Sequence, residues 1–195
     1  MYSMNKDLSI CASVAVGPCD VIGLNGSMPW HSKQDFYHFK AITIPYPCIF
    51  GRNTYDNMPK KPLPKRLNIV CSSQYKNETK DGVFYASTLE NAIDFAKNNT
   101  DQDKIFICGG AVIYKYALEH NLIDVMYLTK IYDEKLARQV LNNRNTFTYF
   151  PINTGEFFNP FRWNVERIKY PNGVLPQENM GLFPMFYKFS KINTK

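Results

Sequence analysis

The sequence predicts a single-domain α/β fold over residues 1–195: a mostly parallel eight-stranded sheet with flanking helices and an antiparallel C-terminal strand hairpin. Three observations lead there. Up to Ile131, short apolar runs of strand length alternate with helical patterns, as in a parallel sheet with crossover helices. After Ile131 the strand-like runs cluster, which puts an antiparallel element last. The 195 residues, 45% hydrophobic and 21% charged, suit one ordinary core.

The elements follow in order. "LSICASVAV" reads as a buried first strand, its register open between "ICA" and "CAS". Residues 32–43 read as a helix. "CIFG" is a short strand, and "NTYDNM" one or two helical turns stopped by Pro59. "LNIVCSS" and "GVFYA" are strands, the second followed by Ser87-Thr88-Leu89-Glu90, a capping box opening a helix with Leu89, Ala92, Ile93 and Ala96 at helical spacing. "KIFICGG" is a strand running into the helix "AVIYKYAL", and "DVMYLTKI" is another strand. Residues 132–146 are polar and irregular and read as an exposed hairpin or loop. "TFTYFP", "RWNVERIKY" and "FPMFYKFSKI" close the chain as strands; a parity switch between Val165 and Ile168 suggests a bulge, and Met185, Tyr187 and Phe189 alternate.

Composition narrows the function. No apolar run reaches membrane-spanning length, and "MYSMNKDLSI" lacks a signal-peptide layout, so a cytoplasmic protein is expected. Cys11, Cys19, Cys48, Cys71 and Cys108 are odd in number with no CxxC spacing, which reads as reduced core thiols. His31, His38 and His120 make no metal-ligand pattern with them, so no metal is expected. The net charge of +6 is scattered apart from "PKKPLPKR" at 59–66, and no nucleic-acid-binding signature accompanies it. Small anionic ligands fit such a balance better than a required nucleic acid.

Three strand-to-helix junctions carry phosphate-friendly residues. "FGRNT" offers Gly51, Arg52 and Thr54 at a helix start, as an anion site or as an ordinary cap with a solvated arginine. "CGGAVIY" puts Gly109-Gly110 where backbone can approach a ligand closely, or where a tight turn is simply needed. "VCSSQYK" offers Ser72, Ser73, Gln74 and Lys76, though polar residues after a strand are common. Asp35 stands among Phe36 and Phe39 on a helix. Ser32-x-x-Asp35 resembles a capping box, which would explain the acid without chemistry. The other reading is a buried carboxylate accepting two parallel hydrogen bonds from a flat amidine-like ring.

Together these residues resemble dihydrofolate reductase. Val21-Ile22-Gly23, Met28-Pro29-Trp30, Asp35, Phe39 and Thr43 match that family's signature in spacing, and the match continues through "FGRNTYDNM", "PLPKRLNIVCSSQ", "ICGGAVIYKYAL" and "MYLTKI", covering roughly residues 8–151. The resemblance implies NADPH-dependent reduction of 7,8-dihydrofolate to tetrahydrofolate, with hydride to C6 and a proton to N5. It implies that Asp35 binds the pterin's amino-amidine edge with Thr129 bonded to it, that Trp30 holds an ordered water nearby, and that Met28 closes a mobile loop. Ala12, Phe36, Phe39, Met58, Leu63, Cys108 and Tyr114 would line the substrate, and Arg66 would fork onto the α-carboxylate of its glutamate tail. NADPH would lie against Ala12, Ile22, Gly23, Gly51, Arg52, Asn53, Thr54, Ser72 and Ser73, and against Gly109, Gly110, Ala111, Val112, Ile113 and Tyr114, with a cis peptide joining the glycines. A monomer open to antifolate inhibitors is implied too.

Three departures stand out. Phe147 replaces an acid frequent in the family, Cys108 replaces a branched aliphatic, and "GPCD" at 17–20 lengthens the first loop. Two rivals are an NADPH reductase acting on another heterobicycle, against which the Trp30–Asp35 spacing and Arg66 speak, and a folate- or nucleic-acid-binding protein without turnover.

Overall fold

The computed structural model describes residues 8–170, 174–175, 177 and 181–192; the N-terminal "MYSMNKD" lies outside them. In chain order the strands and helices are β1 (Ser9–Val16), β2 (Val21–Leu24), α1 (Lys33–Thr43), β3 (Cys48–Gly51), α2 (Arg52–Asp56), β4 (Asn68–Cys71), β5 (Glu78–Lys80), β6 (Val83–Ala86), α3 (Leu89–Asn98) and β7 (Lys104–Ile107). Then come α4 (Ala111–Glu119), β8 (Val125–Asp133), α5 (Glu134–Asn142), β9 (Phe147–Tyr149), β10 (Trp163–Ile168) and β11 (Leu182–Lys191).

The main sheet runs β10-β11-β8-β1-β7-β3-β4-β6-β5. From β8 through β6 every neighbouring pair is parallel, while β11 pairs antiparallel with β8, and β10 with β11, as the C-terminal hairpin. The central strands are apolar throughout because both faces are covered. Ala12, Ile49, Ile69, Ile107 and Met126 face α3 and α4, packing on Ala92, Ile93, Ala96, Ile113 and Ala117. Cys11, Cys48, Phe50, Val70 and Phe106 face the other way, where Phe39 and Ile42 of α1 and Tyr55 of α2 cover them. The first-strand register is thereby set: Cys11 opposes Phe106, and Ala12 opposes Ile107 and Met126.

Several expectations change. Among the described residues the sheet has nine strands rather than eight. The addition is β5, whose three residues are all exposed and polar, so no alternation marks it. The run "TFTYFP" supplies β9, which leaves the main sheet and pairs with β2 in a separate ribbon, Gly23 opposite Thr148 and Leu24 opposite Phe147. Residues 132–146 are not an exposed hairpin or loop: β8 runs to Asp133, whose Oδ1 accepts from Leu136 N at 3.0 Å to cap α5. Leu136 and Val140, one turn apart, are the buried residues of α5, a helical spacing that the polar composition of the stretch masked. The suggested bulge in β10 is absent, since its register is continuous from Trp163↔Lys191 to Ile168↔Phe186. As an edge strand with Val165 43% exposed, β10 has no parity for burial to impose. The capping box shifts by one: Thr88, not Ser87, accepts from Asn91 N at 3.2 Å, while Ser87 Oγ accepts from the Asn91 amide at 2.9 Å. Such a cap contributes about 1 kcal/mol.

Helix α1 crosses the sheet. Near its end Phe39 and Ile42 meet the β3–β7 side. One turn after Asp35, His38 lies 2% exposed, its ring centroid 4.4 Å from that of Phe186, the cross-strand partner of Thr129. Residues three apart share a helix face, so Asp35 is turned toward the β8–β11 pair that carries Thr129.

Candidate active site

In an open parallel sheet, ligands bind beyond the carboxyl ends of the strands, where successive connections diverge. Here the chain leaves β3 for β4 on one side, while it leaves β7 for β8 on the far side of β1. A ligand crevice is therefore expected beyond β1, β7 and β3, where three of the sequence motifs stand.

The two glycine junctions touch. Gly51 N donates to Gly109 O at 2.6 Å, and a Cβ on Gly110 would lie 2.8 Å from Thr54 Oγ1. Gly109 has φ +110°, a region that favours glycine, and the Gly109–Gly110 peptide is cis, as the resemblance implied. Ala111, Val112 and Ile113 open α4, Val112 standing 82% exposed. Tyr114, buried on the same helix, donates from Oη to Ser13 O at 2.5 Å and so ties α4 to β1. Burial, then Cys108 and Asp35 nearby, push its phenol pKa well up, so it stays a neutral donor. Burial and the neighbouring Cys48 raise the Cys108 thiol likewise; it acts as a small apolar wall.

Beside these junctions Arg52 Nη1 donates to Gln74 Oε1 at 2.6 Å, and Gln74 N donates to Ser72 Oγ at 3.3 Å. Because β3 and β4 are neighbours, the start of α2 and the turn after β4 form one polar edge holding Arg52, Asn53, Ser72 and Ser73. The tie from Gln74 to Arg52 had no sequence signal.

Across the crevice, Ser32 Oγ accepts from Asp35 N at 3.0 Å, so Ser32 is indeed the cap of α1. That bond uses the backbone amide of Asp35. The residue is only 7% exposed, so its carboxylate sits in the interior near the start of α1. Trp30 is also 7% exposed, and its Nε1 has no hydrogen-bond partner among the described residues. Thr129 and Ala12 are buried in the adjacent strands β8 and β1. Ile22 and Gly23 lie in β2, while Met28, beyond it, is 40% exposed.

The outer wall is built around Phe39, with Met58 and Leu63 in the same apolar cluster; Phe36 points further out, 39% exposed. Arg66 lies with its guanidinium 5.8 Å from the Phe39 ring centre, donating from Nη1 to Thr43 Oγ1 at 2.9 Å and from Nε to Pro64 O at 3.2 Å. The buried Asn68 shapes this loop: its side chain bonds Leu63 N, Leu63 O and Arg66 O, each at 2.8 Å. Sequence reading passed over Asn68, although one amide opening an apolar strand is a signal of such bracing.

The family model for dihydrofolate reductase matches residues 9–158. The chain belongs to the dihydrofolate reductase family. It is 31% identical over 159 residues to the dihydrofolate reductase of Candida albicans, covering 76% of this chain and 80% of that one. It is 34% identical over 165 residues to the dihydrofolate reductase of Buchnera aphidicola, covering 82% of this chain and 98% of the relative. Among solved structures, the dihydrofolate reductase of Enterococcus faecalis complexed with NADP(H) and RAB-propyl superposes with a TM-score of 0.68 at 26% identity, over 94% of this chain and 96% of that one. A dihydrofolate reductase fold thus carries all three of this chain's departures: Phe147 in β9, Cys108 after β7 and "GPCD" between β1 and β2.

Proposed function

We propose that dihydrofolate binds in the crevice along α1, that NADPH binds along the starts of α2 and α4, and that Asp35 and Trp30 organise proton delivery between them. The activity is that of the family: NADPH-dependent reduction of 7,8-dihydrofolate to 5,6,7,8-tetrahydrofolate, feeding one-carbon metabolism. The observation that carries the residue assignment is a buried acid, Asp35, whose backbone amide is already engaged by the Ser32 cap. Loss of nicotinamide absorbance that requires dihydrofolate, in purified protein, tests the reading as a whole.

The residues present suit the cofactor. A Cβ at Gly110 would fill the close approach beside Thr54, and Arg52, Ser72 and Ser73 offer a guanidinium and hydroxyls to phosphate. Bound NADPH supplies the hydride for C6 of the substrate. Gln74 holds Arg52 ready, and no acid in "GRNT" or "CSSQYK" would grip a bare ribose hydroxyl. Arg52→Ala is accordingly expected to raise the KM for NADPH by about tenfold, or 1.4 kcal/mol, while leaving NADH kinetics nearly unchanged. The gap between the two cofactors in wild type should narrow as salt is added, because the charges are partly exposed. Equal use of both cofactors by wild type would remove the phosphate assignment.

On the substrate side, Asp35 accepts from the amino-amidine edge of the pterin, and Phe39, Met58, Leu63 and Cys108 exclude water. The Trp30 indole N–H, buried with no acceptor among the described residues, suits an ordered water that passes a proton toward N5. Arg66, braced by Thr43, is poised for a bidentate hold on the tail carboxylate. Arg66→Lys substitutes a point charge for that fork and should weaken dihydrofolate binding by at least about tenfold. A pterin without the glutamate tail should bind both proteins alike; an equal loss for both ligands would make Arg66 a structural residue instead.

The reading extends to a cytoplasmic monomer whose pterin slot also takes antifolates. In its support the five cysteines are free thiols, and among the described residues no helix is long and apolar enough to cross a membrane. Sedimentation at working concentration tests the monomer.

A further inference from the structure

We propose that α5 is a positioning element for the active-site indole, with Leu136 holding Trp30 in the orientation that proton delivery needs; this rests on the role of Trp30 given above. Leu136 (2% exposed) and Val140 (0%) are the buried residues of α5, and they join Trp30, Val21, Ile131 and Leu182 in an apolar cluster separate from the two that cover the main sheet.

The contact geometry is tight at Gly17. A Cβ there would lie 2.9 Å from Cζ3 and 3.3 Å from Cε3 of Trp30, and 3.1 Å from Cδ2 of Leu136. Gly17 has φ −86°, open to any residue, so glycine is required for space rather than for conformation. The benzo edge of the indole and a Leu136 methyl therefore meet at one point over Gly17, within one apolar cluster, while Nε1, on the opposite edge, is buried with no partner among the described residues. Leu136 is itself fixed, because its N–H is the one that Asp133 caps. A shortened side chain at 136 would leave a void against the ring, and the surroundings relax only partly into such a void. The indole would then sample other tilts and its N–H would lose its aim.

The test needs a readout of the indole and a readout of the proton. The chain has two tryptophans, so in a Trp163→Phe background Trp30 reports alone. Leu136→Ala should raise acrylamide quenching of Trp30 by about twofold or more, as local packing loosens. It should lower dihydrofolate reduction by about fivefold at high pH and much less at low pH, moving the pH of half-maximal rate down by about half a unit. The KM for NADPH should stay constant, and Leu136→Met should restore both readouts. Should Leu136→Ala fail to fold, Gly17→Ala sets a methyl against both the ring and Leu136 and must alter the same two readouts. Unchanged quenching, or a rate loss equal at every pH, overturns the proposal. A wild-type protein that does not reduce dihydrofolate overturns the underlying reading instead, and quenching still reports whether α5 holds the indole.

Discussion

Asp35→Asn is expected to lower turnover at neutral pH by at least about a hundredfold, or 2.7 kcal/mol of transition-state stabilisation, while NADPH binds almost as before. An amide presents one acceptor where the carboxylate presents two and adds a donor facing the donors of the pterin edge, and breaking a buried charged pair typically costs several kcal/mol. The fold should tolerate the change, because Ser32 Oγ accepts from the backbone N–H of residue 35, a bond that asparagine keeps. Urea melts of the variant should show no more than about 1 kcal/mol of lost stability. Full activity with reduced stability would mean that Asp35 is only a helix-start residue.

The second large effect is on stability. Burial lowers the pKa of His38 from 6.5 to about 4. The unfolded chain then binds a proton across this window that the folded chain refuses, so the neutral ring's contribution is complete above about pH 6.5 and drains as pH falls toward 4. Nδ1 is held by Tyr170 Oη at 2.7 Å, and the ring packs on Phe186, which leaves an imidazolium poorly solvated there. Between about pH 7.5 and about pH 5, wild type should lose about 2 kcal/mol more than His38→Phe, whose ring has no proton to take. Parallel stability curves for the two proteins would show that His38 titrates normally.

The alternating first part of the chain was readable because each central strand is buried on both faces and each crossover helix needs an apolar stripe; Ile105–Ile107 and Ala92–Ala96 admit few other arrangements. The glycine junctions were readable for a different reason. Gly109 is fixed by its positive φ and Gly110 by its close approach to Thr54, so residue type and position carry the information together. What escaped was held by few side chains. Helix α5 rests on Leu136 and Val140 alone, and β5 on backbone pairing with β6. The braces Gln74–Arg52 and Asn68–Leu63 join polar residues whose partners only the folded chain selects.

The position of β1 in the sheet has a consequence for how the chain is made. It is made before the other strands of this sheet, yet it pairs on one side with β7, from Lys104, and on the other with β8, from Val125. Nothing near it in sequence can satisfy its backbone, whereas β3, β4 and β6 can pair locally as they emerge. Bringing such distant segments together costs loop-closure entropy before the contacts repay it, so the crevice is assembled late, around a strand that waits. A nascent chain halted before β8 would expose an apolar strand with an open edge, the feature that chaperones hold and that aggregation templates on. The placement that sets the ligand crevice beyond the end of β1 thus also makes this strand the vulnerable point of biogenesis.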